Sequence, residues 1–259
     1  DFITDIALFS LRVEAPLKLK PGHYPTDIAL RTVSEAMAKA ACGILEVEPG
    51  EIMAEYRPAL TPAGKAGLEA EIFLYDTLPG GAGFARQLAD RGLELFQGAL
   101  QVMKTCEENC DSSCYRCLRS FKNKFEHGQL DRHVGAELVE FLLTDNMQPF
   151  SPQRVAASTR ILLLDLERNI GNGMTFESDA TVSVSGMGDV VVPILATRGD
   201  GAKSVIAIAG PLTADHPADP VIAELREKWD GGEVIPVNEL LVRGNLPAAT
   251  RMVEERVLR

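Results

Sequence analysis

Four of the chain's five cysteines fall within twelve positions, in CEENCDSSCYRC, residues 106–117. The spacing is Cys-x3-Cys-x3-Cys-x2-Cys, formed by Cys106, Cys110, Cys114 and Cys117. Three chemistries compete for such a run. Disulfides need an oxidising compartment, and a Cys-x-x-Cys redox motif stands alone near a helix start. Structural zinc takes four thiolates in a tetrahedron at about 2.3 Å. The intervening Glu, Asn, Asp and Ser residues favour turns and exposure over a hydrophobic core. Nothing in the sequence suggests secretion, so zinc is the favoured reading. A helix end is expected to present Cys106 and Cys110 on one face, as i and i+4 neighbours. A tight turn then carries Cys114 and Cys117 round from the other side. Four protein ligands close the coordination sphere, so one zinc per chain is expected to hold structure and not to catalyse. Cys42, in an Ala-rich helical run, reads as a small buried hydrophobe.

The net charge of −11 argues against a surface generally coated with nucleic acid. One local segment departs from it. Between Arg116 and His133 five basic residues face two acidic ones, a net charge of +3. Arg116, Arg119, Lys122, Lys124, Arg132 and His133 are therefore the candidate DNA contacts. Phe121 and Phe125 interleave with them, and are expected to pack under the cysteine cluster in preference to stacking on bases. His127 and His133 read as surface or phosphate-contacting groups, because four cysteines already complete a ligand set.

The chain organises as an α/β protein: an α+β domain stapled by the zinc, over residues 1–146, a linker at 147–153 and a small α/β domain over 154–259. In the first, IALFSLRV, EIMAEYRPAL and LEAEIFLYDTL are strand candidates, the last two separated by the turn-rich TPAGKAG. A helix capped by Asp27 is expected to set Ile28, Val33, Met37 and Ala41 on one face. One or two helices follow PGGAG, with a buried stripe of Leu88, Leu95, Ala99, Val102 and Met103. DRHVGAELVEFLLTD closes the domain as an amphipathic helix, and MQPFSPQ is the boundary. The last domain reads α-β-β-β-α-β-α.

YDTLPGGAGFARQL, the four cysteines and CYRCLRSFKNKFEHGQLDRHVGAELVEFL occur in an order that resembles the zinc-binding C-terminal domain of MrfA-type helicases. That domain ends superfamily 2 DNA helicases and helicase-associated antiphage defence proteins of the DISARM and Druantia kind. The resemblance covers roughly residues 1–145. It implies Cys106, Cys110, Cys114 and Cys117 as zinc ligands and an accessory role beside a DNA-translocating motor in DNA repair or antiviral defence. The chain has no G-x-x-x-x-G-K-[ST] and no acidic helicase box, so no catalytic site is read in it. ATP and Mg2+ are expected only through motor domains upstream or on a partner chain. With no initiating Met, leader or cleavage site, the chain is expected to be part of a longer cytoplasmic protein. It has no run of about eighteen apolar residues, so no membrane partner is expected.

Two other features compete for function. In LPGGAGFA, Gly80, Gly81 and Gly83 are read as a sharp turn braced by Asp76, ahead of a phosphate-binding loop. The element order after residue 153 resembles the core of PD-(D/E)xK nucleases, with Asp189 before one strand. The next strand holds neither Glu nor Lys inside it, and Lys203 only precedes it, so a degenerate, nuclease-like structural module is expected. The alternatives to a helicase accessory region are a protein-interaction scaffold that touches no DNA and a nuclease working through this last domain.

Overall fold

The computed structural model describes residues 3–20, 22–58, 69–171, 173–213 and 216–258. The chain divides into two compact units, Asp1–Gln148 and Pro149–Arg259. Both are mixed α/β. Among the described residues, no helix is long and apolar enough to cross a membrane.

In the first unit, strict alternation makes the sheet. Strands β1 (Ile6–Arg12), β2 (Ile52–Pro58) and β3 (Glu69–Asp76) pair antiparallel in the order β1-β3-β2. Ile6 lies opposite Tyr75, and Ile52 opposite Asp76. Ala70, Ile72 and Leu74 are buried on one face, and the residues between them are half-exposed on the other. The turn-rich TPAGKAG lies outside the described residues.

Helix α1 (Tyr24–Leu45) buries Ile28, Val33, Met37 and Ala41, and also Thr32, Ser34, Ala36 and Ala40, so most of its circumference is packed. Its start corrects the sequence reading. Asp27 sits in the first turn and the cap position is His23, because Pro25, with no N–H to satisfy, fits the opening turn. Two helices follow the glycine turn, α2 (Phe84–Leu88) and α3 (Gly92–Lys104), and α4 (Arg132–Thr144) is capped by the Asp131 carboxylate. Leu88, Leu95, Ala99 and Met103 form a buried stripe, whereas Val102, expected in it, is only half-buried. Helix α4 packs on α1 and α3 so closely that a Cβ on Gly135 would fall 2.6 Å from both Met103 Sδ and Thr32 Cγ2.

The second unit follows the expected order with one addition. Helix α5 (Pro152–Asn169) precedes β4 (Met174–Val184), β5 (Gly188–Arg198) and β6 (Lys203–Ala209); then come α6 (Pro220–Lys228), β7 (Gly232–Asn238), α7 (Glu239–Gly244) and α8 (Leu246–Val257). The sheet order is β4-β5-β6-β7, antiparallel except for the parallel β6–β7 pair that the α6 crossover produces. Strands β6 and β7 are near-continuous apolar runs because both faces are covered. Ile206 and Ile235 pack with Leu162, Leu166 and Val253 of α5 and α8, while Val205 and Val234 pack with Ile222 and Leu225 of α6.

Helix α5 begins two residues inside the linker expected at 147–153. Pro152 takes a first-turn position, and Phe150 is buried with the Arg154 guanidinium 5.4 Å over its ring. Arg154 donates from Nε to Glu239 Oε1 at 2.9 Å, and Ser158 Oγ donates to the same oxygen at 3.2 Å. That buried pair ties α5 to α7, an α-helix the sequence reading lacks.

Candidate metal centre

Helix α3 stops at Lys104, where the Thr105 N–H still donates to Gln101 O at 2.9 Å. The cysteines therefore lie beyond the helix, and the expected presentation of Cys106 and Cys110 from a helical face is corrected. A turn does the work instead. Asn109 adopts φ 41°, in the left-handed region that Asn tolerates, and its N–H donates to Cys106 O at 2.9 Å. On the other side, Cys114 O accepts from the N–H groups of Cys117, Leu118 and Arg119 at 3.2, 3.0 and 2.9 Å, and the Cys114 N–H donates to Cys117 Sγ at 3.2 Å.

The two turns bring all four sulfurs within 4.8 Å of one another. Sγ separations are 3.6 Å for Cys106–Cys110, 3.5 Å for Cys106–Cys114, 3.6 Å for Cys110–Cys117 and 3.7 Å for Cys114–Cys117. A tetrahedron with bonds of about 2.3 Å has edges of about 3.8 Å. A disulfide needs about 2.05 Å. The donor set and its dimensions fit one zinc ion. As free thiols the four are unequal. Burial pushes Cys106 up, but hydrogen bonds from the Cys110 backbone, the Cys114 and Cys110 thiols and the Glu108 backbone bring it down to about 7. Burial, then the neighbouring thiols, pushes Cys110 up, and burial also raises Cys117. A divalent cation among them takes them as thiolates. Cys42 is elsewhere, buried in α1.

Three side chains tie this knot to the helices. Lys39 of α1 donates to Arg116 O at 2.7 Å and Cys117 O at 2.6 Å. Arg132 at the start of α4 donates to Cys110 O at 2.7 Å, Met103 O at 3.1 Å and Asn109 Oδ1 at 2.9 Å. Asn123 is buried; its amide donates to Glu35 Oε2 and Leu118 O, both at 2.9 Å, and its Oδ1 accepts from the Ser120 N–H at 2.8 Å. Glu35 belongs to an acidic–basic group around Arg31, which reaches Glu55 at 2.7 Å and Glu126 at 3.4 Å. Sequence reasoning missed Lys39, Glu35 and Asn123. A lysine in an alanine-rich helix and an asparagine between two lysines both read as solvated.

The candidate DNA contacts separate accordingly. Arg116, Lys122 and Lys124 are exposed, Arg116 lying 3.9 Å from Glu108 and Lys122 donating to Gly50 O at 3.2 Å. Arg119 is half-exposed and donates to Ser113 Oγ at 2.9 Å; His133 is half-exposed in the first turn of α4. Arg132 is only 6% exposed and turned inward, so its guanidinium braces the cysteine loop instead of facing solvent. The two phenylalanines reverse the expectation. Phe121 is 76% exposed and Phe125 91%, with Lys124 Nζ 4.3 Å from the first ring centroid and 4.9 Å from the second. His127 lies edge-on to Tyr115 at 5.4 Å, with Nε2 3.0 Å from Ser120 O and Asn123 Oδ1.

The rival sites are placed as firmly. Gly80, Gly81 and Gly83 all have positive φ, and the amides after them point at the buried Asp76 carboxylate. Ala82 and Phe84 donate to its Oδ2 at 2.6 and 3.1 Å, and Ala85 to its Oδ1 at 2.8 Å. These donors are committed within the protein. In the second unit the Asp189 carboxylate accepts from Ser183 Oγ at 2.7 Å at the start of β5, whereas Lys203 pairs with Thr197 near its end. At roughly 3.3 Å per residue the two stand more than about 25 Å apart along the sheet, too far to serve one metal ion.

Known proteins resemble part of this chain. The family model of the MrfA Zn-binding domain matches residues 33–118, from α1 through the fourth cysteine. Over that stretch the chain is similar to an MrfA-type zinc-binding domain. The Druantia protein DruE of Escherichia coli (strain UMEA 4076-1) is 34% identical over 150 residues, which is 55% of this chain and 8% of DruE. The chain thus spans a small part of that relative's length. Two solved structures of the DUF1998 helicase MrfA are also similar. One, bound to DNA, is 23% identical over 39% of this chain and 13% of its own, with a TM-score of 0.31. The other, bound to DNA and AMPPNP, is 18% identical over 48% and 15%, with a TM-score of 0.32.

Proposed function

We propose that this chain is an accessory region of a helicase-associated protein in DNA repair or antiphage defence. In it Cys106, Cys110, Cys114 and Cys117 hold one structural zinc, and the basic segment leaving the knot contacts the DNA backbone. The observation that carries the reading is the convergence of four Sγ atoms, with four separations of 3.5–3.7 Å and all within 4.8 Å, beside the exposed Arg116, Lys122 and Lys124. The zinc crosslinks the two turns and so holds that segment in place. The likeness to DruE supports a defence setting. The motor, its ATP and its Mg2+ belong to domains outside this chain.

Elemental analysis of protein purified without added metal is expected to give about one zinc per chain. The zinc-loaded protein is expected to bind labelled DNA at low salt and to release it as salt rises. Charge reversal at Lys122 and Lys124 is expected to weaken binding and flatten the salt slope, by about 0.7 for each single-strand phosphate no longer neutralised. Zinc-loaded protein that binds neither single nor double strands contradicts the DNA role and leaves a protein-interaction scaffold.

A further inference from the structure

Phe121 and Phe125 are hydrophobic rings left in water by a segment that is otherwise firmly anchored. Between them Asn123 is buried and fully engaged: its amide group bonds to Glu35, Leu118 and Ser120. The turn is thus clamped at its centre, and the residues two before and two after the clamp are the exposed rings. Lys124 lies over both, so the rings are within the sum of 4.3 and 4.9 Å of each other. With one ammonium shared between them and 76% and 91% of the residues exposed, each ring has open surface.

The chemistry around the rings selects the partner. Lysine is depleted from the cores of protein interfaces, and here two lysines lie between the rings in Phe121-Lys122-Asn123-Lys124-Phe125. A duplex offers no free base faces, because each base is covered by its neighbours. An unpaired strand offers both a phosphate for each ammonium and a π-face for each ring, the combination that single-strand binders use. We propose that Phe121 and Phe125, with Lys122 and Lys124, form a preorganised stacking platform for unpaired bases of single-stranded DNA. Tyr115, 67% exposed and edge-on to His127 at the border of the same turn, extends the aromatic surface. The clamped turn lowers the ordering entropy that binding would otherwise cost. This inference rests on the DNA-contact reading and adds its mode and strand preference.

The test uses fluorescence anisotropy with the full zinc-loaded chain and three probes: an oligothymidylate, a duplex of equal length, and a strand whose bases are replaced by abasic linkers. Phe121→Ala/Phe125→Ala is expected to weaken oligothymidylate binding by at least about thirtyfold. Zinc content, binding of the abasic strand and the salt slope are expected to stay unchanged, because both rings are exposed and carry no charge. Phe121→Trp/Phe125→Trp is expected to restore the loss. The platform is refuted if the double alanine variant binds oligothymidylate normally while Lys122→Glu/Lys124→Glu abolishes binding; backbone contact then stands without stacking. Equal affinity of the unsubstituted chain for duplex and single strand also refutes it. If no probe binds at all, both readings fail.

Discussion

Replacing Arg132 by Met keeps a long apolar stem and removes the three hydrogen bonds that hold the cysteine loop. Bonds to a charged group contribute about 1.5–3 kcal/mol each, so about 9 kcal/mol is a ceiling. The environments of the three acceptors reduce it. Met103 O is reached in a buried setting, so its desolvation is lost in full, whereas Cys110 O and Asn109 Oδ1 are partly buried and water can take over. The expected loss is about 3–5 kcal/mol, a drop in Tm of roughly 10 °C for a unit of this size. Because the bonds end on Cys110 and Asn109, the loop carrying two of the four thiols loosens with them. Zinc transfer to a colorimetric chelator is expected to quicken. Arg132→Lys recovers only part of this, since one ammonium cannot span the three acceptors as a planar guanidinium does. Measured below the melting transition on zinc-loaded protein, DNA affinity is expected to change less than about threefold, well under the effect of removing a stacked base. Unchanged Tm and zinc retention in Arg132→Met, with lost DNA binding, would falsify the assignment of Arg132 as a brace.

Other sites give independent checks. Asp76→Ala removes the acceptor for Ala82, Phe84 and Ala85, and denaturant unfolding is expected to show a loss of about 2–4 kcal/mol; less than about 1 kcal/mol would mean the turn is held by its glycines alone. Arg154→Met takes the nearest cation from the buried Glu239 carboxylate, which Ser158 and Arg243 at 3.6 Å replace only in part, so the partly stranded charge is expected to cost about 3 kcal/mol. Adding Glu239→Leu is expected to recover most of that loss, and a double variant worse than the single one would contradict the stranded-charge account. Burial holds the Glu35 carboxyl above its ordinary range, against the opposing Asn123 amide and Arg31. The folded state therefore binds this proton more tightly than the unfolded state. Its contribution is present below the ordinary carboxylate value and is lost as pH rises through the raised one. Glu35→Gln keeps an acceptor for Asn123 without that loss, so its Tm relative to the parent is expected to rise from about pH 4 to neutrality; a relative fall would show the charge to be stabilising through Arg31.

Elements specified by nearest neighbours were legible in the sequence. Alternation placed β1 and β3, and the cysteine spacing announced a four-thiol cluster whose Sγ atoms do converge. The errors arose where tertiary packing decides which way a side chain turns. Arg132 belongs to a basic segment and reads as surface, yet α4 starts against the cysteine loop and three carbonyl-type oxygens there demand a donor. The first half of β4, Met174–Asp179, carries little buried apolar alternation, because an edge strand has a neighbour on one side only. The sharpest reversal is Phe121-Lys122-Asn123-Lys124-Phe125, where hydrophobicity predicts buried rings and a solvated amide. A loop must bury whatever satisfies its turning backbone, and an amide can both donate and accept there as no phenyl ring can. With Asn123 taking the inward position beside Glu35 and Leu118 O, residues two before and two after it are directed outward. The exposure of both rings is then a consequence of what the turn needs at its centre, which is why substituting them should leave the fold intact and alter binding alone.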